Sequence, residues 1–236
     1  MLILKDKMSF NVQIEKELKN LHDIDTNLYN IPNVIGIRLP SLRKYAKSLS
    51  KKYSLDYLLL NISENYHDEV LLKGMLIGLY NLSFNELKNY LTYYLPKINT
   101  WDLCDSFVSS LKITKKYLKD IYLLLEVYLK SSEEYIVRFA LVMLLNYYLN
   151  DEYIDKIYTN ISSVSIDKYY VKMANAWLIS YCLVKYYDKT YIFLKNNNIL
   201  DKWTHNKAIQ KALESHRLNK YQKERLKLLK WKDIKK

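Results

Sequence analysis

The stretch SSEEYIVRFALVMLLNYYL, residues 131–149, decides the fold class of this chain. Ser131 and Glu134 stand three residues apart, which is the spacing of a capping box at the start of a helix. Apolar residues then recur at helical spacing, and Arg138 is the only charged residue between Glu134 and Asp151. The stretch therefore predicts one long, mostly apolar helix.

Similar amphipathic segments follow one another along the whole chain. Gly and Pro occur only three times each, so the chain can form few tight β-hairpins. Ser83 with Glu86 repeats the capping box, Pro40 suits a first helical turn, and Pro96 ends a helix. The pattern predicts helices at residues 6–22, 40–52, 54–63, 67–82, 84–95, 101–111, 115–130, 132–149, 151–160, 166–186, 188–196, 204–216 and 219–231.

The spacing of these segments indicates how the helices are organised. Pairs recur about every 35–40 residues, which is typical of stacked helical hairpins of the HEAT or TPR kind. A compact helical bundle is the alternative architecture. No linker or low-complexity segment divides the chain, so we expect a single domain over residues 1–236.

The chain is basic, and its charge is unevenly distributed. It holds 37 Lys and Arg against 25 Asp and Glu, for a net charge of +12. Residues 26–55 contain six basic side chains and no acid, and residues 202–236 contain twelve basic and three acidic side chains. Such blocks favour a polyanionic partner. The richness in Lys, Asn, Ile and Tyr is also what an AT-rich genome produces, so a purely compositional interpretation stays open.

Neither metal nor disulfide chemistry is indicated. Cys104 and Cys182 lie in apolar stretches, which predicts buried free thiols in a reducing compartment. The four histidines show no ligand spacing, so we expect no metal and no cofactor. The start MLILKDKMSF turns polar after four residues, unlike a signal peptide, and charges interrupt every apolar run. We therefore expect a cytoplasmic protein without a membrane span.

The segment INTWDLCDSF, residues 98–107, holds the first candidates for chemistry. Thr100 suits an N-cap, which places Asp102 in the first turn, where the helix dipole favours a carboxylate for structural reasons alone. Trp101 and Asp105 are four residues apart and share one helix face. Asp105 stands among apolar neighbours, where a carboxylate needs a partner or a function.

Two further candidates lie downstream. A lone Arg on an apolar helix, such as Arg138, is typical of a buried ion pair or a phosphate contact, and Asp105 is a reasonable partner. Trp177 lies between small residues in YVKMANAWLISY, residues 170–181. It either projects into a cleft or fills a gap between helices.

Together these segments resemble the DNA alkylation repair family of AlkD-type glycosylases, which are built from HEAT-like repeats. The similarity lies in the order W-D-x-x-D, then an Arg in an apolar helix, then K-x-x-x-x-W. The stretches IPNVIGIRLPSLRKYAK, residues 31–47, and FLKNNNILDKWTHNKAI, residues 193–209, also resemble the family. The resemblance spans nearly the whole chain and implies an all-α fold, a superhelical solenoid of HEAT-like antiparallel helical hairpins with a concave basic face.

The resemblance also implies an activity and its residues. Asp105 matches the catalytic aspartate, Trp101 and Trp177 match the aromatic residues beside the lesion, and Arg138 matches the active-site arginine. The implied partner is double-stranded DNA with cationic N3- or N7-alkylated purines. The implied reaction is hydrolysis of the N-glycosidic bond by a monomer. The expected DNA-binding residues are Arg38, Arg43, Lys44, Lys172, Lys202 and Lys207.

One departure from the family pattern keeps other functions open. Ile179 and Ser180 stand where the family usually has a basic-acidic pair after the second Trp. A DNA-binding relative without catalysis, or a helical scaffold that binds another protein, is therefore the alternative.

Overall fold

The chain is helical throughout the part that is described. The computed structural model describes residues 2–24, 31–196 and 199–232, with side chains from Ser9 onward. Over these residues it contains thirteen α-helices, short 3₁₀ turns and no β-strand. The helices are α1 Leu2–Lys19, α2 Leu39–Ser50, α3 Leu55–Asn61, α4 His67–Ile77, α5 Phe84–Tyr94, α6 Trp101–Ser110, α7 Leu118–Tyr128, α8 Glu134–Tyr147, α9 Ile154–Ser163, α10 Tyr169–Lys185, α11 Tyr187–Asn196, α12 Lys202–Glu214 and α13 Lys220–Leu229.

Each predicted helix is present, with bounds that differ by a few residues. The largest difference is at the end of α4, which was expected to continue to residue 82 but ends at Ile77 with Gly78 as its C-cap. A Cβ atom on Gly78 would collide with the carbonyl oxygen of Ser110. The end of α4 therefore packs directly on the end of α6, and only glycine allows this approach.

One of the two predicted capping boxes is confirmed. The Ser83 backbone N–H donates to Glu86 Oε2 at 2.7 Å, and the Glu86 N–H donates to Ser83 Oγ at 3.3 Å. These two bonds satisfy backbone donors at the start of α5 that no helical carbonyl can reach.

The second predicted box is wrong. The N-cap of α8 is Glu133, whose backbone N–H donates to Ser131 Oγ at 3.0 Å. The Glu134 carboxylate instead accepts from the backbone N–H of Tyr170 at 2.9 Å, in the first turn of α10. Glu134, which the local pattern assigns to the cap of α8, therefore forms a tertiary contact with α10.

The helices form two compact units, Met1–Lys116 and Tyr117–Lys236. In the first unit α4 packs against α2 and α6, and nearly all of its residues are buried. In the second unit α10 packs against α8 and α12. The single domain and the solenoid with a concave basic face stay predictions.

The two cysteines are free and buried, as expected. Burial raises the pKa of the Cys182 thiol to about 12, so this sulfur is a packed apolar group and not a nucleophile. Every helix in the described ranges is too short or too polar to span a bilayer.

Glu64 neutralises a buried lysine of the first unit. Its carboxylate accepts from Lys73 Nζ at 2.7 Å and from Lys97 Nζ at 2.9 Å. The Lys73 side chain is only 4% exposed. Burial raises the pKa of Glu64, but the hydrogen bonds from Lys73 and Lys97 outweigh it and bring that pKa to about 2.

We predict that Glu64→Gln lowers the free energy of unfolding by about 2–3 kcal/mol, because the Lys73 ammonium loses its counter-ion. The folded-state pKa of Glu64 lies below its ordinary value of 4.5, so the stabilisation is complete above that pH and disappears as the pH falls towards 2. Urea unfolding of both proteins across this range measures the difference. A difference in unfolding free energy that does not change with pH contradicts the prediction. Glu152→Gln, at an exposed position, is the control.

Candidate active site

A buried carboxylate shapes the segment that leads into α2. Asp68 is 2% exposed and accepts from the backbone N–H groups of Ile35 at 2.7 Å, Gly36 at 3.3 Å and Ile37 at 3.0 Å. Gly36 has a φ of 86°, in the left-handed region that favours glycine. The glycine that precedes Ile37 and Arg38 thus lets three consecutive amides converge on one side chain.

The neighbour of Asp68 fixes the start of α6. His67 Nε2 lies 2.7 Å from Asp102 Oδ2, and their side chains are 7% and 17% exposed. Burial raises the pKa of Asp102, but the interactions with His67 and the other hydrogen bonds to this carboxylate together outweigh it, so the pKa lies below its ordinary value. Thr100 occupies the N-cap position as expected, but its side chain makes no capping hydrogen bond. Asp102 is therefore held by a histidine as well as by its place in the first turn.

Asp68 and the His67–Asp102 pair border a pocket of about 320 Å³ within the first unit. Apolar groups form most of its surface, and three aspartates, two serines, one histidine and one arginine contribute polar side chains. The pocket is lined by Ile24, Ile31, Val34, Gly36, Ile37, Leu39, Arg43, His67, Asp68, Leu71, Trp101, Asp102, Asp105, Ser106 and Ser109.

Trp101 and Asp105 lie on the same pocket, as their spacing predicts. The Trp101 side chain is 52% exposed, so its ring is available to a ligand. Asp105 is partly buried one helical turn later, while Cys104 and Val108 point into the core with no exposed surface. Helix α6 thus presents an indole and a carboxylate side by side above an apolar pocket.

Arg43 joins this pocket to a second, basic one. Its Nη2 donates to Ser109 Oγ at 2.6 Å, and Ser109 Oγ donates to the Ser106 carbonyl at 2.9 Å. Arg43 and Ser109 also line a neighbouring pocket of about 550 Å³, together with Lys44, Lys47 and Lys112. The predicted DNA-binding residues Arg43 and Lys44 therefore lie beside the pocket of Asp105. Arg38 is exposed, and its Nε lies 3.8 Å from Asp23.

Arg138 lies in the second unit, on α8, and is 4% exposed. Its Nη1 donates to the Tyr170 carbonyl at 3.0 Å, and its guanidinium lies 5.9 Å from the centre of the Tyr170 ring. Arg138 therefore helps to hold the start of α10 against α8. Its predicted pairing with Asp105 stays a prediction, because the two residues belong to different units.

The comparison with protein families decides what kind of protein carries this pocket. The family model described as DNA alkylation repair enzyme matches residues 13–212. The chain belongs to this family. Comparison with curated proteins and with solved structures gave no significant match.

Trp177, the other aromatic residue expected in this family's site, lies on α10. It is partly buried, and its ring meets Tyr181 edge-on at 5.9 Å. Ile179 and Ser180, which replace the basic-acidic pair of the family pattern, are 0% and 4% exposed. Ser180 Oγ donates to the Trp177 carbonyl at 2.7 Å, so this position here serves the packing of α10.

The remaining predicted DNA-binding residues of this family member cluster in the second unit. Lys172 forms an ion pair with Asp167 at 2.7 Å, and its Nζ lies 5.7 Å from the centre of the Trp203 ring. Lys207 Nζ lies 5.5 Å from the same ring, and Lys202 lines the same pocket as Trp203 and Lys207. Their contact with DNA stays a prediction.

Sequence patterns missed two residues that organise the site. His67 binds Asp102 across 35 residues, and Ser109 binds Arg43 across 66 residues. No spacing rule links such distant positions. The sequence offers one signal for Ser109, which is a polar side chain near the end of α6, the helix that carries Trp101 and Asp105. In the described part of the chain, no three His, Cys, Asp or Glu side chains form a group that could hold a metal ion.

We predict that His67→Phe raises the pKa of Asp102, because the ring keeps the site buried but no longer binds the carboxylate. A carbon-13 NMR titration of the aspartate carboxyl groups measures this shift. An Asp102 pKa that stays low in His67→Phe would show that His67 does not set it. His216→Phe, at an exposed position of the second unit, should leave the titration unchanged.

Proposed function

We propose that this chain is a DNA glycosylase that removes cationic N3- or N7-alkylated purines from duplex DNA. Membership of the DNA alkylation repair enzyme family supports a role in repair. The observation that carries the proposal is the pair of Trp101 and Asp105, side by side on the lining of one pocket. An aromatic face and a carboxylate are the two groups that excision of a cationic base requires.

The chemistry follows from the charge of the lesion. An alkylated purine with a positive ring is already a good leaving group, so no general acid has to protonate it. The bond between C1′ and the base breaks, and its electron pair returns to the purine, which leaves neutral. Positive charge develops on the sugar in the transition state, and water forms the new bond to C1′ while its proton passes to the carboxylate or to solvent.

Asp105 is the carboxylate proposed to stabilise that charge. Asp68 holds three backbone amides and Asp102 binds His67, so these two carboxylates of the pocket already have structural roles. Asp105 lines the same pocket as the exposed indole of Trp101, one helical turn away on α6. An aspartate is ordinarily ionised at neutral pH, which suits the stabilisation of a cationic sugar.

The aromatic and basic residues have complementary proposed roles. The faces of Trp101 and Trp177 attract a cationic nucleotide, and each contact contributes about 0.5–2 kcal/mol. The proposed role of Arg138 is that of the active-site arginine, as the family resemblance implies. Arg38, Arg43, Lys44, Lys172, Lys202 and Lys207 neutralise phosphates without reading sequence. The proposed enzyme acts without a metal or an organic cofactor.

Asp105→Asn tests the central role. We expect the variant to release N7-methylguanine from duplex DNA about 100-fold more slowly, because the amide cannot stabilise the developing charge. Its affinity for undamaged duplex should change by less than about threefold. Single-turnover release of free base, with a parallel binding titration, measures both quantities.

An exposed carboxylate of the first unit supplies the control. Asp56→Asn removes a charge outside the pocket and should keep the rate. Wild-type protein that is folded but releases no base above background would overturn the proposed activity.

Trp101 tests the recognition of charge. In an Asp105→Asn background, which preserves the lesion during the measurement, Trp101→Leu should lower the preference for cationic over undamaged duplex by about 2- to 30-fold. Trp101→Phe keeps an aromatic face and should lose less. Equal losses with both substitutions would argue against a cation–π contact. Competition binding with the two duplexes gives the ratio directly.

A second function is favoured by the buried Ile179 and Ser180. A relative that binds DNA without catalysis would need neither of the charges that the family pattern has there. Such a protein would bind duplex DNA with strong salt dependence and release no alkylated base. The base-release assay with wild-type protein separates the two functions.

A further inference from the structure

A pocket of about 470 Å³ in the second unit surrounds Trp203, a residue outside the proposed excision site. Three lysines, two amide side chains and the indole line it, and none of its described lining residues is acidic. These residues are Lys202, Trp203, Asn206, Lys207, Gln210 and Lys230. The composition is that of a site for an anion attached to a flat ring.

The end of the described chain is held firmly against α12, and this builds one side of the pocket. Asn206 Nδ2 donates to the Trp231 carbonyl at 3.0 Å, and the Trp231 backbone N–H donates to Asn206 Oδ1 at 2.9 Å. The His205 ring stacks on Trp231 at 4.5 Å, and His205 Nε2 lies 2.9 Å from the Leu229 carbonyl. Lys230 lies between Leu229 and Trp231, whose backbones are held by His205 and Asn206, so packing fixes its position beside the pocket.

Contacts with neighbouring side chains also fix the positions of two lysines near the Trp203 ring. Lys207 Nζ donates to Gln210 Oε1 at 2.9 Å and lies 5.5 Å from the centre of the Trp203 ring. Lys172 Nζ lies 5.7 Å from the same ring, but it is paired with Asp167. Lys207 is therefore the pocket lysine next to the indole, and a planar group that stacks on the same face would displace its ammonium to the rim of the ring, within reach of an attached phosphate.

We propose that this pocket is a second nucleic-acid site, which binds one unpaired nucleotide of a DNA strand. The base stacks on Trp203, and the phosphate lies among Lys202, Lys207 and Lys230. An aromatic platform with neighbouring cations is the arrangement by which proteins bind single strands without reading sequence. This site requires that the protein meets DNA, but it does not depend on base excision.

The experiment uses the full chain and an undamaged, fluorescently labelled single-stranded oligonucleotide. Trp203→Leu should weaken binding about tenfold, and Trp203→Phe should weaken it less, because stacking on an aromatic ring is largely retained. Lys207→Gln should reduce the slope of log affinity against log salt concentration by about 0.7, the value for one phosphate of a single strand. Lys211→Gln, on the same helix but outside the pocket lining, is the matched control.

Unchanged affinity in Trp203→Leu together with an unchanged salt slope in Lys207→Gln would overturn the proposal. Equal competition by a polyglutamate peptide would also overturn it, because the site would then recognise charge alone. Circular dichroism and urea unfolding verify that each variant is folded.

The failure of this site and that of the proposed enzyme are distinguishable. Asp105→Asn should bind the single strand like wild type, and Trp203→Leu should still release base from saturating duplex. Absence of base release in wild type would therefore leave the oligonucleotide measurement unaffected.

Discussion

The first turn of α4 is the constraint on which the candidate active site depends. His67 binds Asp102 of α6, Asp68 holds the amides of residues 35–37, and Glu69 closes the turn that leads into the helix. The carboxylates of Asp68 and Glu69 lie at the positive end of the α4 dipole, which lowers the free energy of burying them. One helical turn thus sets two walls of the pocket, the segment before α2 and the start of α6.

The rotation of α6 separates the roles of its two carboxylates. Consecutive residues of a helix point about 100° apart, so Asp102 can face α4 while Trp101 and Asp105, four residues apart, share the pocket side. Cys104 and Val108 face the core and keep the helix from turning. The His67–Asp102 pair therefore stabilises the orientation in which the Trp101 indole and the Asp105 carboxylate line the same pocket.

Apolar periodicity was sufficient to predict the helices, because burial of one face and local hydrogen bonds determine them. The Ser83–Glu86 box was predictable for the same reason: both partners lie within one turn. Glu134 was not, because it binds Tyr170, 36 residues away, and Asp68 binds backbone that carries no side-chain signal. The spacing of Trp101 and Asp105 predicted their shared face, whereas the apolar wall opposite them depends on tertiary contacts that no local pattern encodes.

The net charge of +12 overstates the charge that DNA can use. Lys172 already forms an ion pair with Asp167, so a phosphate must share or replace that partner, and the gain from the contact is smaller. Arg43 and Lys207 are held instead by the neutral groups of Ser109 and Gln210, which orient a cation without neutralising it. Each also lies close to an exposed or partly exposed aromatic surface, Arg43 on the Trp101 pocket and Lys207 beside the Trp203 ring. For the two proposed sites, a few cations placed in this way therefore matter more than the basic composition.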